Sequence, residues 1–438
     1  MKKFLLVLIT LSLLFSLSGC KTVPEYQSDI IKLDLSIKPE GIDSKYDYLY
    51  DLVTVDDSRD YLAHPDSVLL TNGNILTFYP AGHGKGEILN SVSEDGGLSW
   101  KSNYLVTPES WKYSRETPTV YRLKFTEKED RLVMISANPK WTNWTGDGFN
   151  ASISYDEGAS WTEFKKFYGK DSECHVSPIV AMSSLTRLKE NGEFVDRWMG
   201  LFHDHNFVNY MTILSFDDKG DMIWSTPKAY FSQYRKIEKK TRMCEVEVIR
   251  SENGLGDELC LITRSNGHSG NKYHYSLISF SSDEGKTWSE PRELPPVLSG
   301  ERHKAEYVNN RLVITFRSIE RETHKVKQYR EKRSKNWYSE GLVAWIGTYQ
   351  DLKEGKAGQY RIKLAHTYLA GQTAPSVTAN ADTGYCGLVA LADNSVIITS
   401  YGTFGQKIKD SNNYKTYIAS KKIRLEDLDG LAEIILGK

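Results

Sequence analysis

The sequence has little net charge, few cysteines and no long apolar segment beyond its first residues. Its 56 basic and 57 acidic residues nearly cancel, which gives no reason to expect nucleic-acid binding. Five cysteines without C-x-x-C spacing argue against a zinc ribbon and against a dithiol redox motif. After residue 20 no apolar run is long enough for a transmembrane helix. The 26 tyrosines and 10 tryptophans instead suit a protein of many short β-strands.

The first residues have the pattern of an export and attachment segment. Two lysines precede the apolar run Phe4–Leu17, which is typical of a secretory signal and too short to favour a membrane span. The run ends in Leu-Ser-Gly-Cys at Cys20, which resembles the bacterial lipobox and implies cleavage before Cys20 and lipid attachment to its thiol. We therefore expect a protein anchored in the cell envelope, with a lipoprotein signal peptide over residues 1–20, a tether with a closing strand over 21–45, and one folded domain over 46–438.

A short phrase of the form S-x-D-x-G-x-x-W recurs along the chain. Its serine and aspartate can bond nearby backbone N–H groups, its glycine adopts a backbone conformation that other residues avoid, and its tryptophan packs under the turn. The phrase therefore predicts a hairpin turn, and its repetition indicates a repeated structural unit. Three strict copies and one looser copy have aspartates 61, 61 and 66 residues apart: Asp95, Asp156, Asp217 and Asp283.

From residue 60 onward, β-rich runs alternate with turn residues such as Asn72-Gly73. Six hairpins can be recognised, each followed by one or two further strands. Six such units predict an all-β fold, a six-bladed β-propeller, in which a segment before His64 completes the last blade. The hairpins are His64–Tyr79, Glu116–Ser136, His175–Asp204, Cys244–Ser265, Arg302–Ser318 and Tyr385–Tyr401.

The propeller geometry predicts where polar residues converge. Ligands of propellers bind where the inner strands begin and where the next strands end. A titratable set stands at these places, and such a set in a cleft indicates a functional site. The strand starts supply His64, Glu116, His175, Glu245, His303 and Tyr385, and the strand ends supply His83, His203, Asp204, His205, Arg264, Arg317 and Tyr401.

The repeated phrase is the Asp-box, and the chain resembles the sialidase-like (BNR-repeat) β-propellers over nearly all of its mature length. The Asp-box indicates the fold and not the chemistry. In true sialidases three arginines grip the substrate carboxylate. Arg264 in Thr-Arg-Ser-Asn and Arg317 in Phe-Arg-Ser are similar to the second and third of these, whereas His64 in Ala-His-Pro replaces the first.

By the same resemblance, Glu245 matches the glutamate of the family and Tyr385 its nucleophilic tyrosine. The loop that carries the acid/base aspartate in the family reads Gly-His-Gly-Lys-Gly-Glu here, with His83 and Lys85. A retaining glycosidase needs a nucleophile and an acid/base, and a histidine stands at the acid position. The two arginines still suit a carboxylate, because a guanidinium can form two parallel hydrogen bonds with it.

Histidine beside arginine and tyrosine suits β-elimination from a uronic acid. A cation neutralises the carboxylate and acidifies the C5 proton, a base removes this proton, and an acid helps the group on C4 to leave. The pair His64 and His83 is similar to that of propeller ulvan lyases and of the sialidase-like ulvan oligosaccharide dehydratase. This resemblance implies a lyase or dehydratase of ulvan-type acidic polysaccharide that forms an unsaturated uronate.

The expected roles follow from this resemblance. Catalytic roles are expected for His64, His83, Tyr385 and Glu245, and contacts with an acidic oligosaccharide for Arg264, Arg317, Glu116, His303 and Lys85. Structural roles compete: Glu116 can pair with Arg115, and Glu245 can simply orient Tyr385 or Arg264. Two other functions stay open, an exo-sialidase or related glycoside hydrolase and a non-catalytic glycan-binding lipoprotein.

The segment His203-Asp204-His205 invites a metal site, since alternate residues of a strand face the same side. The third ligand would have to be His175 or Cys174, and no recognised spacing supports that set. We therefore expect no metal and no cofactor. We also expect a monomer that does not bind nucleic acid and that is attached to a membrane through lipid on Cys20.

Overall fold

A computed structural model describes residues 30–140, 145–265, 276–318, 341–365, 383–404 and 415–437. Within these ranges the strands form six sheets of four or five strands, which are the blades of a propeller. The predicted all-β, six-bladed architecture is therefore confirmed. Cys20, the signal segment and the first part of the tether lie outside the described residues. No helix of the described chain is long and apolar enough to cross a membrane.

The first three blades follow the chain in order. Blade 1 contains β3 (Asp66–Leu69), β4 (Ile75–Pro80), β5 (Ile88–Ser93) and β6 (Lys101–Ser102). Blade 2 contains β7 (Thr119–Leu123), β8 (Arg131–Lys140), β9 (Thr145–Ser154) and β10 (Lys165–Phe167). Blade 3 contains β11 (Pro178–Glu190), β12 (Glu193–Asp204), β13 (Asn209–Phe216), β14 (Met222–Trp224) and β15 (Lys228–Ala229).

The remaining blades include two strands from the N-terminal region. Blade 4 contains β16 (Met243–Arg250), β17 (Leu259–Ser265), β18 (Leu277–Ser281) and β19 (Arg292–Glu293). Blade 5 contains β20 (Gly300–Val308), β21 (Arg311–Ser318), β22 (Gly341–Gly347), β23 (Tyr360–Ala365) and β1 (Ile31–Asp34). Blade 6 contains β24 (Gly387–Ala390), β25 (Ser395–Gly402), β26 (Tyr417–Arg424) and β2 (Val53–Asp56). The described chain also contains short helices between the strands and after the last strand: α1 (Asp47–Tyr50), α2 (Arg235–Thr241), α3 (Ser251–Gly254), α4 (Tyr349–Glu354) and α5 (Leu425–Leu436).

The N-terminal region closes the ring at two neighbouring blades. β2 pairs antiparallel with β26, so a segment before His64 completes the last blade, as predicted. β1 pairs in parallel with β23, and Leu33 and Leu35 beside it are buried. The folded part of the chain therefore begins by residue 30, ahead of residue 46, where the sequence analysis placed its start. The buried Lys421 ammonium donates to the carbonyls of Leu35 and Asp51 at 3.0 and 3.2 Å, which fastens this region to β26.

The repeated phrase forms the hairpin turns that it predicts. In blade 1, Asp95 accepts hydrogen bonds from the backbone N–H groups of Leu98 and Ser99 at 3.0 and 2.9 Å. Gly97, with φ +87°, donates its N–H to Ser93 Oγ at 2.8 Å. The turn thus satisfies its own backbone groups through two short polar side chains. In blades 2 and 4, Asp156 and Asp283 likewise accept the backbone N–H four residues further on, from Ser160 and Thr287 at 2.9 and 2.8 Å.

Apolar side chains fill the space between neighbouring blades. Phe78 of blade 1 lies edge-on to Trp111 and Trp161, with ring centres 5.8 and 5.5 Å apart. Phe149 of blade 2 meets Trp224 of blade 3 edge-on at 5.2 Å. Edge-to-face contacts of this kind add to the stabilisation from burial. Each blade is therefore held mainly by apolar contacts with its two neighbours. The axis of the ring is lined instead by charged side chains.

Two cations from β20 cross the central channel. Arg302 donates to the carbonyl of Ser183 in blade 3 at 3.1 Å, and its guanidinium lies 5.5 Å from the ring centre of Tyr385 beside blade 6. Two residues further along, the Lys304 ammonium lies 3.4 Å from a carboxylate oxygen of Asp66 in blade 1. Blade 5 is therefore tied through the axis to blades 3, 6 and 1.

Lys304 also contacts the remaining blades. Its ammonium lies 5.1 Å from the ring centre of Tyr121 in blade 2, and it interacts with Glu247 of blade 4. Burial disfavours the charged ammonium, but Asp66, Tyr121 and Glu247 outweigh this effect and raise the pKa of Lys304 above its ordinary value. Lys304 therefore carries a positive charge into the middle of the ring, where acidic groups surround it.

We expect Lys304→Met to lower the free energy of unfolding by about 3–5 kcal/mol, because Asp66 and Glu247 would remain buried without their cation. Urea unfolding at neutral pH measures this change. Lys101→Met removes a lysine that is 65% exposed and pairs with Glu94 on the surface, so it should leave stability nearly unchanged. A loss for Lys304→Met that is no larger than that of this control would contradict the assignment.

Candidate active site

Strand pairing places an arginine beside a glutamate in two adjacent blades. In blade 4, Arg264 lies opposite Cys244, the neighbour of Glu245. In blade 5, Arg317 lies opposite Glu301. Because the second strand of each blade ends where the inner strand begins, both pairs lie at the same end of the channel.

The two pairs join into one buried network. Arg264 Nη1 donates to both carboxylate oxygens of Glu245 at 2.8 and 3.0 Å. Glu301 Oε2 receives Arg264 Nη2 at 3.0 Å and Arg317 Nη2 at 2.5 Å. Burial raises the pKa of Glu245, but Arg264 and His203 outweigh it and lower this pKa to about 2, so the carboxylate is ionised. Glu301 fixes the two guanidiniums relative to each other.

The backbone at this end of the channel has an unusual conformation. His64, Glu245 and Arg302 stand at the starts of their blades with φ values of 50°, 49° and 55°. The pairing register shifts beside Glu245 and beside Arg302, which marks β-bulges. Left-handed backbone in residues other than glycine costs energy and concentrates at functional sites. The bulges turn Glu245 and Arg302 toward the channel.

Histidine and tyrosine rings form the opposite wall of the site. His64 is buried, and its ring centre lies 4.7 Å from that of His83 and 4.2 Å from that of Tyr385. Tyr401 contacts the other side of His64 at 4.8 Å. Tyr61 Oη is hydrogen-bonded to His83 Nδ1 at 2.8 Å. The structure thus brings together both histidines and the tyrosine that the sequence predicts as catalytic.

The charges of the site set the protonation states of the histidines. Burial and the charges of His83 and Arg317 hold the pKa of His64 well below its usual value. Burial, Arg317 and Lys85 lower the pKa of His83, against an opposing effect of Glu245. Both imidazoles are therefore neutral at pH 7 and can accept a proton.

Tyr385 stays a protonated phenol. Burial and Glu245 raise its pKa well above 10. Its hydroxyl can therefore donate a hydrogen bond or a proton, whereas an unassisted phenolate at neutral pH is disfavoured.

Glu116 behaves differently from Glu245. It is 4% exposed, and its Oε1 accepts hydrogen bonds from the N–H and the hydroxyl of Thr117 at 2.9 and 2.8 Å. Burial outweighs these bonds and raises the pKa of Glu116 to about 7. Since no cation is bonded to it among the described residues, Glu116 is half protonated near neutral pH.

His303 does not join the site, and its predicted contact with substrate is corrected. The side chain is fully buried at 0% exposure, and its Nε2 lies 2.8 Å from the carbonyl of Leu298. Its ring packs 5.0 Å from the ring centre of Phe316. The bulge at Arg302 explains the error, because it turns Arg302 toward the channel and His303 into the blade. Lys85 lies on an exposed loop, where its charge affects both His83 and Glu116.

Of the other histidines of the sequence pattern, His175 lies apart from the site, whereas His203 lies close enough to Glu245 to affect its pKa. His175 is exposed and is hydrogen-bonded to the carbonyl of Gly146 at 3.1 Å. His203 is buried and stacks on Phe207 at 6.0 Å, and burial lowers its pKa to about 4. Among the described residues, no group of three His, Cys, Asp or Glu side chains is arranged to hold a metal ion.

Three residues of the site were missed by the sequence analysis: Glu301, Arg302 and Tyr61. Glu301 could have been found, because two adjacent blades each pair a glutamate near the start of the inner strand with an arginine near the end of the second strand. Glu245 and Arg264 are 19 residues apart in blade 4, and Glu301 and Arg317 are 16 residues apart in blade 5. Tyr61 has no comparable signal, since it precedes the first blade and reaches the site only through the fold.

We expect Glu116→Gln to become more stable relative to the wild type as pH rises. The pKa of Glu116 is about 7 in the folded protein, and its ordinary value is 4.5. As pH rises between these values, the carboxyl ionises in the unfolded chain before it ionises in the folded chain. The wild type therefore loses stability over this pH range. The difference in free energy of unfolding between variant and wild type should grow by about 3 kcal/mol from pH 4.5 to pH 8. Loss of the Thr117 contacts adds only a constant offset. A difference that is the same at both pH values in denaturant titrations would show that Glu116 does not titrate in this way.

Comparisons with known proteins agree with this architecture. Residues 73–309 match the family described as BNR repeat-like domain. No curated protein gave a significant match. One similar solved structure is a protein of unknown function from Dyadobacter fermentans, with a TM-score of 0.56 and 15% identity over 85% of this chain and 97% of that chain.

Two other similar structures are enzymes. A mutant of an α-L-arabinofuranosidase from Fusarium graminearum, in complex with an iminosugar inhibitor, has a TM-score of 0.55 and 14% identity over 86% of this chain and 98% of that one. The NanB sialidase from Streptococcus pneumoniae has a TM-score of 0.51 and 11% identity over 85% of this chain and 70% of that one. At such identities the likeness shows the fold alone. With more than half of its length matched by the family model, the chain belongs to the BNR repeat-like domain family and has the six-bladed fold of the sialidase-like propellers.

Proposed function

We propose that this protein eliminates water or a glycosyl group from a uronic acid residue of an acidic, ulvan-type oligosaccharide and leaves an unsaturated uronate. One observation carries the proposal. Two neutral imidazoles, with ring centres 4.7 Å apart, lie in the field of three buried guanidiniums. Elimination next to a carboxylate needs these two elements, a neutral base and fixed positive charge.

The guanidiniums would bind the carboxylate of the uronate. Arg264, Arg317 and Arg302 all act on the pKa of His64, and Glu301 pairs with both Arg264 and Arg317. Glu245 and Glu301 offset two of these charges through their ion pairs. One excess positive charge remains for the substrate carboxylate, and its neutralisation acidifies the proton on C5.

His83 is the better placed of the two histidines to remove that proton. It keeps contact with solvent at the opening, whereas His64 lies beneath it and is 4% exposed. A Tyr61 hydroxyl that accepts from Nδ1–H of His83 selects the tautomer whose lone pair is on Nε2, the atom that would take the C5 proton. His64 and Tyr385 then line the floor against which the sugar ring rests, and the Tyr385 phenol is a donor to the developing charge.

A hydrolase is the second candidate, because two carboxyl groups of the site have very different pKa values. Glu116 has a pKa of about 7 and Glu245 of about 2, which is the pattern of a general acid and an ionised partner in glycosidases. The arabinofuranosidase and sialidase among the similar structures add to this candidate. Elimination is preferred because both oxygens of Glu245 already accept hydrogen bonds from Arg264, which leaves them poorly placed to attack a sugar.

We expect His83→Ala and His64→Ala each to lower kcat by about 10²–10⁴-fold, since each removes a group proposed for proton transfer or its support. Ultraviolet absorbance of the enol ether formed from uronate oligosaccharides, with mass spectrometry of the products, measures the reaction. His175→Gln is the matched control and should keep full activity, because His175 is exposed and bonded to a main-chain carbonyl elsewhere.

Carboxyl-reduced oligosaccharides should not react, because they lack the group that the arginines bind. Release of saturated sugars without any rise in absorbance would overturn elimination and favour the hydrolase. Saccharide binding with no turnover of any substrate would favour a glycan-binding protein.

We also propose that lipid on Cys20 anchors the protein in the cell envelope, on the basis of the Leu-Ser-Gly-Cys motif that ends the apolar segment. Cys20→Ala should move the protein from the membrane fraction to the soluble fraction and abolish incorporation of labelled palmitate. Cys174→Ala should change neither. Equal sedimentation of Cys20→Ala and wild type with membranes would rule out this anchor.

A further inference from the structure

Two buried polar atoms near the site have no hydrogen-bond partner among the described residues. They are Oε2 of Glu116 and Nδ1 of His64, and both side chains are 4% exposed. Burying such atoms without a partner costs stability, so each needs an explanation. A ligand group that bonds to both would supply one.

Gly84 keeps open the space that these two side chains share. A Cβ at Gly84 would lie 3.2 Å from Oε1 of Glu116 and 3.5 Å from both Cε1 and Nδ1 of His64. Oε1 of the carboxyl and the imidazole therefore both lie against this glycine, and we call the place where Glu116 and His64 meet beside it the Gly84 slot. The backbone of Gly84 has φ +70°, and Gly86 donates its N–H to the carbonyl of Ser114 at 3.0 Å. This bond fastens the loop to the segment that leads into Glu116.

The slot has the chemistry to bind one oxygen atom of a sugar. The protonated Glu116 carboxyl is an O–H donor, and a neutral His64 offers a nitrogen that can accept from a hydroxyl. A hydroxyl on C4 can satisfy both at once, because it accepts one hydrogen bond and donates another, whereas the bridging oxygen to a further sugar can accept from Glu116 but has no hydrogen to donate to His64. The slot also lies next to His83, since His64 and His83 are in ring contact.

We propose that the Gly84 slot holds the oxygen on C4 of the reacting uronate and that Glu116 is the catalytic acid that protonates this oxygen as it leaves. This inference rests on the proposed elimination. His83 takes the C5 proton, and the electron pair of the C5–H bond forms the double bond between C4 and C5. The C4–O bond breaks with its electron pair, and the oxygen takes the proton of Glu116 and departs as water or as the hydroxyl of the leaving sugar. Solvent then returns the proton from His83 to Glu116.

The groups around Glu116 support this role. Burial and the charge of Glu245 favour its protonated form, whereas the Thr117 hydrogen bonds and the ammonium of Lys85 favour its ionised form. His64 adjoins it across Gly84, and the charge of Glu116 contributes to the raised pKa of Tyr385. The balance leaves a carboxyl whose pKa is about 7, which suits an acid that must give up its proton near neutral pH.

The test compares kcat and KM over pH 5–9 for full-length wild type and Glu116→Gln on uronate oligosaccharides, followed by enol-ether absorbance. Glu116→Gln should lower kcat by 100-fold or more and change KM less than threefold. The wild type should lose activity above about pH 7, when Glu116 ionises, and the variant should lack this alkaline limb. Glu87→Gln is the control, since Glu87 ends the same loop, is partly exposed, and should leave kcat unchanged.

A second substrate separates acid catalysis from a structural role. A uronate with a nitrophenyl ether on C4 needs no proton on its leaving group, so Glu116→Gln should react with it within tenfold of the wild-type rate. Equal losses on both substrates, or a wild-type pH profile in Glu116→Gln, would overturn the role of Glu116 while leaving elimination intact. Absence of any enol ether from the wild type would overturn the proposed function together with this inference.

Discussion

The positive charges along the axis are the constraint on which the rest of the molecule depends. Six blades that pack pairwise leave a channel at their centre, and in this protein Arg302 and Lys304 cross it. Between them they contact or interact with all five other blades. Bulk water would weaken such interactions, but the buried axis strengthens them and makes any loss of a partner costly. The floor of the candidate site is therefore a rigid part of the ring.

The same charges decide the acid–base chemistry above the floor. Burial and the guanidiniums of Arg317, Arg302 and Arg264 keep His64 uncharged, and burial and Arg317 also lower the pKa of His83, the proposed base. Glu245 and Glu116 experience similar burial, yet they have opposite acidities. Arg264 bonds to Glu245 and keeps it ionised, whereas only Thr117 bonds to Oε1 of Glu116 in the described chain. A single buried site thus holds an ionised carboxylate and a carboxyl that titrates near pH 7.

Much of the fold follows from local sequence patterns, and part of the site does as well. The Asp-box is a self-contained turn, so its copies at Asp95, Asp156 and Asp283 reveal the repeat without knowledge of distant contacts. Arg264, Glu245 and Tyr385 are predictable because strand starts and strand ends meet at one end of a propeller. That Arg302 and not His303 faces the channel could not be predicted. A one-residue bulge reverses which of the two side chains faces the channel, and this bulge leaves no mark in the sequence.

Closure by the N-terminal strands has a consequence for how the ring is built. The Lys421 ammonium and the Leu35 carbonyl that it binds are 386 residues apart in sequence. β2 likewise pairs with β26, a strand near the other end of the described chain. Contacts this distant in sequence form late, because the entropy of closing a long loop must first be overcome. During synthesis β1 remains an unpaired edge until β23 of blade 5 emerges, and β2 remains one until β26 of blade 6 emerges. An incomplete ring exposes the edges that β1 and β2 later cover, and such edges are points at which two molecules can pair wrongly.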